Sequence, residues 1–239
     1  MMQIVVPAAG RGQRFSESGY SEPKPLIKVL GKPLIKWSTD GLRGITDPRF
    51  IFLALKEHID SNKLDQRLKD LYGKCEVIAV EQFTEGAACT VLLAKDKLDP
   101  EQELMIVNCD NLFYIDMDKV KGKLDSADKG GIFYFASNSS ALSYVEADEK
   151  GYAKRIAEKE VISDKATVGC YYFTKAKYFI ESAEYMIKNN IRVKGEFYVA
   201  PTYNILIEQG ANIRIFPVEF HFNLGTPQEL DKFKSLFAA

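Results

Sequence analysis

Residues 3–15, QIVVPAAGRGQRF, decide how this chain folds. Gln3–Ala8 is a short, largely apolar run that stops at glycines, the pattern of a buried first strand. Gly10 and Gly12 then let the backbone turn tightly and approach a ligand closely. Successive N–H groups in such a turn can cradle phosphate oxygens, which makes Ala8, Ala9, Gly10, Arg11 and Gly12 candidate nucleotide contacts. Arg14 adds a planar, permanent cation suited to a triphosphate. Further on, in EPKPLIKVLGKPLI (22–35), Lys24 stands between two prolines that stiffen its segment. Spacing excludes two other phosphate motifs. Phe15 occupies the place where a dinucleotide fingerprint needs Gly or Ala, and Gly31-Lys32 is followed by Pro33, not Ser or Thr.

Working outward, Phe50–Leu55, Cys75–Val80 and Leu104–Val107 are further short apolar runs. Helical spacing at Ile59–Leu71 and Ala87–Lys97 separates them, and this alternation predicts an α/β fold with a parallel sheet covered on both faces. After Asp125 the pattern changes. Gly131–Ala136 and Val168–Phe173 read as aromatic strands, and Tyr144–Ala147 and Tyr152–Ala157 flank a hairpin turn at Asp148–Gly151. Helices are expected at Lys175–Lys188, Thr202–Gln209 and Thr226–Phe237, with a late strand at Asn212–Glu219. The expectation is one α/β domain over 1–239 with an antiparallel insertion in its second half.

A formal net charge of −1 leaves no global field to gather nucleic acid or an anionic membrane, so neither is an expected partner. The N-terminus lacks a basic signal-peptide region, and no apolar run reaches the length of a membrane span. Cys75, Cys89, Cys109 and Cys170 stand far apart, as free thiols do in a reducing cytoplasm, and the expected location is cytoplasmic. His58 and His221 have no partner at triad or zinc spacing and read as structural or peripheral. No G-x-S-x-G elbow is present, which argues against a serine hydrolase.

GRGQR, PKPLI and GKPLI together resemble the N-terminal signature of the sugar-phosphate nucleotidyltransferases, the nucleoside-diphosphate-sugar pyrophosphorylases. The resemblance implies a GT-A-like, Rossmann-type α/β/α sandwich with a mixed, mostly parallel central sheet. It assigns residues 1–125 to nucleotide binding and 126–239 to the acceptor. Arg14 and Lys24 would then hold the triphosphate and stabilise departing pyrophosphate. Asp110, in LMIVNCDN just past a buried strand, resembles the family's Mg²⁺ ligand, since open sheets seat ligands at strand carboxyl ends. A capping role for Asp110 is the alternative. Asn223, in NLGTP, stands where the family carries a second metal-ligating Asp, so its ligation is uncharged.

The segment EQFTEGAA (81–88) resembles the family's base-recognition element, with Gln82 offering amide atoms and Gly86 a close backbone approach; a plain surface loop would look the same. Ala157-Glu158-Lys159-Glu160 resembles a V-E-K-P element, in which Glu158 meets acceptor hydroxyls and Lys159 the acceptor phosphate. Gly169, Glu196 and Tyr198 complete the candidate acceptor contacts.

The implied reaction is in-line attack by an acceptor phosphate on the α-phosphorus of a nucleoside triphosphate, aided by Mg²⁺, Arg14, Lys24, Asp110 and Lys159. Precursor synthesis for surface polysaccharide is the setting the family implies. Base, acceptor and subunit number stay open, a homo-oligomer included. Three alternatives stand beside this one: a cytidylyltransferase acting on a non-sugar phosphate, a GT-A-like glycosyltransferase, and a non-catalytic nucleotide-binding regulator.

Overall fold

The structure, a computed structural model, describes residues 1–237. Its centre is a nine-stranded mixed sheet. Four parallel strands form one half: β1 (Gln3–Ala8), β2 (Arg49–Leu55), β3 (Cys75–Val80) and β4 (Leu104–Val107), in the order β3-β2-β1-β4. β4 then meets β8 (Lys165–Phe173) in antiparallel register, Cys170 opposite Val107. β8 pairs antiparallel with β5 (Asp128–Ala136), which pairs parallel with β9 (Asn212–Pro217). The hairpin β6 (Ser143–Ala147) and β7 (Ala153–Glu158) joins the start of β8, with Tyr144 opposite Ala166.

The sheet is buried on both faces, and the two-residue period of a strand sorts its side chains. On β1 and β4, Val5, Leu104 and Ile106 face one core with helices α5 (Ala87–Leu92), α7 (Ala176–Lys188) and α8 (Thr202–Glu208). Ile4, Val6, Met105 and Val107 face the other, beneath α2 (Leu34–Asp40), α4 (Leu64–Tyr72) and α6 (Met117–Lys121). A third apolar cluster joins Phe15, Ile27, Val29 and Leu34 to Leu224, Leu230 and Phe233 near the other end of the chain. Leu230 and Phe233 belong to α9 (Pro227–Ser235), whose start is capped by the Thr226 hydroxyl.

The strands and the three late helices agree with the sequence pattern to within a few residues at their ends. Two helical stretches do not run unbroken. Ile59–Leu71 is divided between α3 (Lys56–Asn62) and α4 by Lys63, which adopts a left-handed φ of 52°. Ala87–Lys97 ends as α5 at Leu92 and resumes as a short 3₁₀ turn at Lys95–Lys97. Lysine has good helix propensity, so periodicity alone does not reveal the break. The last two residues of the expected domain lie outside the described part.

Candidate active site

The candidate phosphate-side residues collect beyond the carboxyl ends of β1 and β4. After β1, Gly12 takes a φ of 64° and its carbonyl accepts the Phe15 N–H at 2.8 Å, opening the short helix α1 (Gln13–Glu17). Phe15 is buried and anchors the loop from below, while Arg14 stays exposed. A Cβ on Gly12 would lie 3.2 Å from Lys24 Cβ, so both the positive φ and the close approach favour glycine. Gly12, Arg14, Lys24 and Gly225 line a cleft of about 440 Å³.

Lys24 Nζ donates to Asp110 Oδ2 at 2.5 Å, with the two side chains 21% and 20% exposed. Burial pulls the Lys24 ammonium down, but the Asp110 charge and hydrogen bond outweigh it and the net shift is upward. The lysine is therefore charged across the physiological range. Asp110 follows β4 by three residues and is fixed on its other side, where Asn111 Nδ2 donates to Oδ1 at 2.9 Å.

A small ribbon brings the distant Asn223 here. Residues His221–Asn223 pair antiparallel with Asn111–Phe113, Asn223 opposite Asn111, and the Leu224 N–H donates to the Asp110 carbonyl at 2.8 Å. Asp110 Oδ2 and Asn223 Oδ1 lie 2.7 and 2.8 Å from the point where a Gly225 Cβ would sit. One carboxylate and one amide oxygen thus converge, a hard-oxygen pair of the kind Mg²⁺ accepts. The Gly225 N–H holds the amide oxygen at 2.7 Å, leaving it a free lone pair.

The ribbon also gives His221 a place that sequence spacing did not reveal. Its Nε2 lies 2.9 Å from Asn111 Oδ1 and its ring stacks on Phe135, centroids 4.0 Å apart. Burial lowers the imidazole to about 4, partly opposed by Asp110, so the ring is neutral near pH 7. Since the Asn111 amide nitrogen is spent on Asp110, its oxygen must accept, and His221 donates from Nε2. His221, Asn111, Asp110 and Lys24 form one hydrogen-bonded line.

A second cleft of about 250 Å³ lies between Ala9, Gly10, Phe83, Thr84, Gly86, Thr90 and Asn108. Gln82 is exposed and lies outside its lining; Phe83, 45% exposed, stands at the mouth with the Arg11 guanidinium 4.1 Å from its ring centre. Thr84 and Thr90 hydroxyls lie 2.6 Å apart and each is within hydrogen-bond reach of the Gly86 carbonyl, so one hydroxyl donates to the other, which in turn donates to that carbonyl. Gly86 has a φ of 140°, and a Cβ there would sit 2.3 Å from the Phe197 carbonyl oxygen. Its glycine is thus required by the neighbouring chain, whatever the ligand.

Ala87 and Asn108 also border a third cleft of about 230 Å³, with Asn111, Ser143, Glu158, Thr167, Gly169, Tyr171 and Tyr198. Gly169, with a φ of 71°, faces the Asn108 and Asn111 amides, 2.8 and 2.9 Å from where its Cβ would be. Glu158 is only 9% exposed and its carboxylate accepts from the Ser143 hydroxyl. Burial pushes the Glu158 carboxyl above its ordinary range, with Ser143 and Lys159 opposing only in part. Lys159, in left-handed backbone geometry, donates to the Tyr198 hydroxyl and lies 4.6 Å from that ring's centre. Glu196 is exposed in the adjacent turn and does not line the cleft. A further cavity, about 270 Å³ and floored by Ile115, Val120, Phe133 and Phe216, holds none of these residues.

All four cysteines are free thiols, Cys109 and Cys170 buried and the other two half-buried. No helix among the described residues is long and apolar enough to cross a membrane.

The chain is similar along nearly its whole length to the UTP–glucose-1-phosphate uridylyltransferase AglF of Haloferax volcanii. The two are 25% identical, over 97% of this chain and 94% of that one. It also matches the bifunctional protein GlmU of Thermoanaerobacter pseudethanolicus at 25% identity, over 90% of this chain but 46% of GlmU, so it spans about half of that relative. In fold it resembles the nucleoside-diphosphate-sugar pyrophosphorylase of Vibrio cholerae RC9, with a TM-score of 0.81, 23% identity and coverage of 97% and 99%. The inositol-1-phosphate CTP transferase of T. maritima shares the fold at a TM-score of 0.75, with 16% identity and coverage of 100% and 95%. The model of the nucleotidyl transferase family matches residues 3–202, so the chain belongs to that family and is a nucleotidyltransferase enzyme.

Proposed function

We propose that this enzyme transfers a nucleoside monophosphate from a nucleoside triphosphate to a sugar 1-phosphate, releasing pyrophosphate and making a nucleotide sugar. The observation that carries this assignment is adjacency. The base and acceptor clefts share Asn108 and Ala87, and Asp110, which stands between Asn111 of the acceptor cleft and Lys24 of the phosphate cleft, hydrogen-bonds both. The similarity to a uridylyltransferase acting on glucose 1-phosphate supports a sugar acceptor.

Residues 1–125 would hold the nucleotide and 126–239 most of the acceptor, with Asn108 and Asn111 reaching into the acceptor cleft. The loop Ala8–Gly12 receives the triphosphate, and Arg14 with Lys24 balances charge on the β- and γ-phosphates. The base lies between Phe83, Thr84, Thr90 and the Gly10 backbone, with Gln82 outside that lining. Glu158, Asn111, Ser143 and Thr167 offer acceptors and donors to sugar hydroxyls, and Lys159, outside the cleft's lining but bonded to Tyr198 within it, would hold the acceptor phosphate at the rim. Asp110 and Asn223 would hold Mg²⁺, which when bound neutralises charge on the α- and β-phosphates.

An acceptor phosphate oxygen then attacks the α-phosphorus in line. The new P–O bond forms as the α–β bridging bond breaks, and pyrophosphate leaves with the electron pair. No general base is needed, because the attacking phosphate is ionised at neutral pH. The same hydroxyl-matching floor suits a polyol phosphate with CTP as donor, so the test includes both. Pyrophosphate release is measured with Mg²⁺ and each of UTP, dTTP, CTP, GTP and ATP against sugar 1-phosphates and polyol phosphates. Release that needs one nucleotide and one sugar 1-phosphate together is the expected result. Release only with a polyol phosphate moves the acceptor class, and silence across the panel with bound nucleotide sinks the catalytic assignment.

A further inference from the structure

Between α7 and α8 the chain runs through Ile191–Tyr198, a segment that brings Tyr198 to the acceptor cleft. It is bent hard. Asn190, Lys194 and Gly195 have φ values of 53°, 48° and 86°, and Val193 and Glu196 exchange two backbone hydrogen bonds of 3.0 Å each. Non-glycine residues hold such backbone angles only where their surroundings impose them.

Arg192 braces this bend with its side chain. Its Nε donates to Asn190 Oδ1 at 2.6 Å, Nη1 to the Gly195 carbonyl at 3.0 Å, and Nη2 to the Glu85 carboxylate. The guanidinium plane also lies 4.0 Å from the centre of the Phe197 ring, which is buried. An exposed ion pair alone contributes little. Here one rigid fork serves four partners at once, which lysine cannot do. Glu85 belongs to the base-side segment, and the backbone continues the same junction. The Phe197 N–H donates to the Glu85 carbonyl at 2.9 Å and the Ala88 N–H to the Phe197 carbonyl at 3.0 Å.

The two sides of this junction are unequally braced. The base side has its own ties, with the Thr84 and Thr90 hydroxyls chained to the Gly86 carbonyl. The acceptor side has Arg192. We propose that Arg192 is a positioning residue for the acceptor: it clasps the Gly195–Tyr198 turn to the base-side segment and so sets where Tyr198, and through it Lys159, stands. Arg192 lines none of the three clefts. The role rests on the sugar-phosphate reaction proposed above.

The test compares wild type with Arg192→Ala and Arg192→Lys in two measurements. Pyrophosphate release gives KM for acceptor and nucleotide separately. Hydrogen exchange in the ligand-free protein reads the Phe197 and Ala88 amides. Loss of a charged hydrogen-bond hub is expected to raise acceptor KM about tenfold in Arg192→Ala, with nucleotide KM within about twofold of wild type. The two amides should exchange about tenfold faster, since their opening no longer breaks the clasp. Arg192→Lys, which keeps the Glu85 pair without the fork, should fall between. An unchanged acceptor KM, equal rises in both KM values, or amides that exchange as in wild type would each overturn the clasp. If wild type itself releases no pyrophosphate with any pair, the reaction assignment has failed separately, and the exchange measurement alone decides the clasp.

Discussion

The phosphate cleft and the rim of the acceptor cleft are held by different kinds of force. Beneath the phosphate loop lies a core of its own, with Phe15, Leu34, Leu224 and Phe233 packed together and Lys24 locked onto Asp110. The acceptor cleft has Tyr171 and Val199 of the sheet's core in its lining, but its rim is the end of a hairpin, a buried carboxylate and two turns with left-handed residues, Lys159 and Lys194, secured by polar contacts. Packed apolar cores have few alternative arrangements, whereas polar ties can be re-made with other partners at small cost.

If the phosphate end carries the chemistry, its substitutions should abolish turnover whatever the acceptor. Asp110→Asn, which removes the carboxylate from both Lys24 and the Mg²⁺ position, should lower kcat about 10³-fold with folding intact, read by pyrophosphate release and circular dichroism. Comparable loss of turnover and of fold would instead place Asp110 in the core. Asn223→Ala should have a smaller effect. The concentration of Mg²⁺ needed for half-maximal rate should rise about ten- to a hundredfold, since Asp110 would hold the ion with one protein ligand fewer. A requirement equal to that of wild type would remove Asn223 from the site.

At the acceptor end the effects should fall on KM and should depend on pH. Glu158 has a raised pKa, so as pH falls it protonates earlier than an ordinary glutamate and loses the charge that strengthens hydrogen bonds from acceptor hydroxyls. Acceptor KM should therefore rise on acidification in wild type. Glu158→Gln should show a KM about tenfold higher at neutral pH and no such acid dependence, measured from pH 5 to 8. A pH profile unchanged by the substitution would detach Glu158 from the acceptor. The smallest effect is expected at the seam between the two ends. Phe83→Ala should raise nucleotide KM about fivefold, through lost contact with the base, and leave acceptor KM alone.

The phosphate end was also the more legible in sequence. Gly12 and Arg14 follow β1 and Asp110 follows β4 within a few residues, and Lys24 stands in a proline-braced segment, so local pattern places them. Asn223 was found by its motif, yet its proximity to Asp110 depends on a three-residue ribbon that pairs positions far apart in the chain, which no periodicity encodes. For the same reason His221 read as peripheral, although it hydrogen-bonds the residue that fixes Asp110. At the acceptor end, Glu158, Gly169 and Tyr198 were named and do share a cleft, while Glu196 is exposed and does not line it. On the base side Gln82 was named where Phe83, Thr84 and Thr90 line the cleft, because an exposed loop carries no pattern that says which side chains face inward. Arg192 was missed altogether. Its role comes from loop geometry, and an arginine among lysines in a polar turn gives no signal of it.

The cluster that joins Phe15 to Leu224, Leu230 and Phe233 also couples two segments that lie far apart in sequence. Because they share one apolar core, a local opening of α9 would take the floor from the glycine loop as well. Helix α9 thus braces the phosphate cleft without lining it.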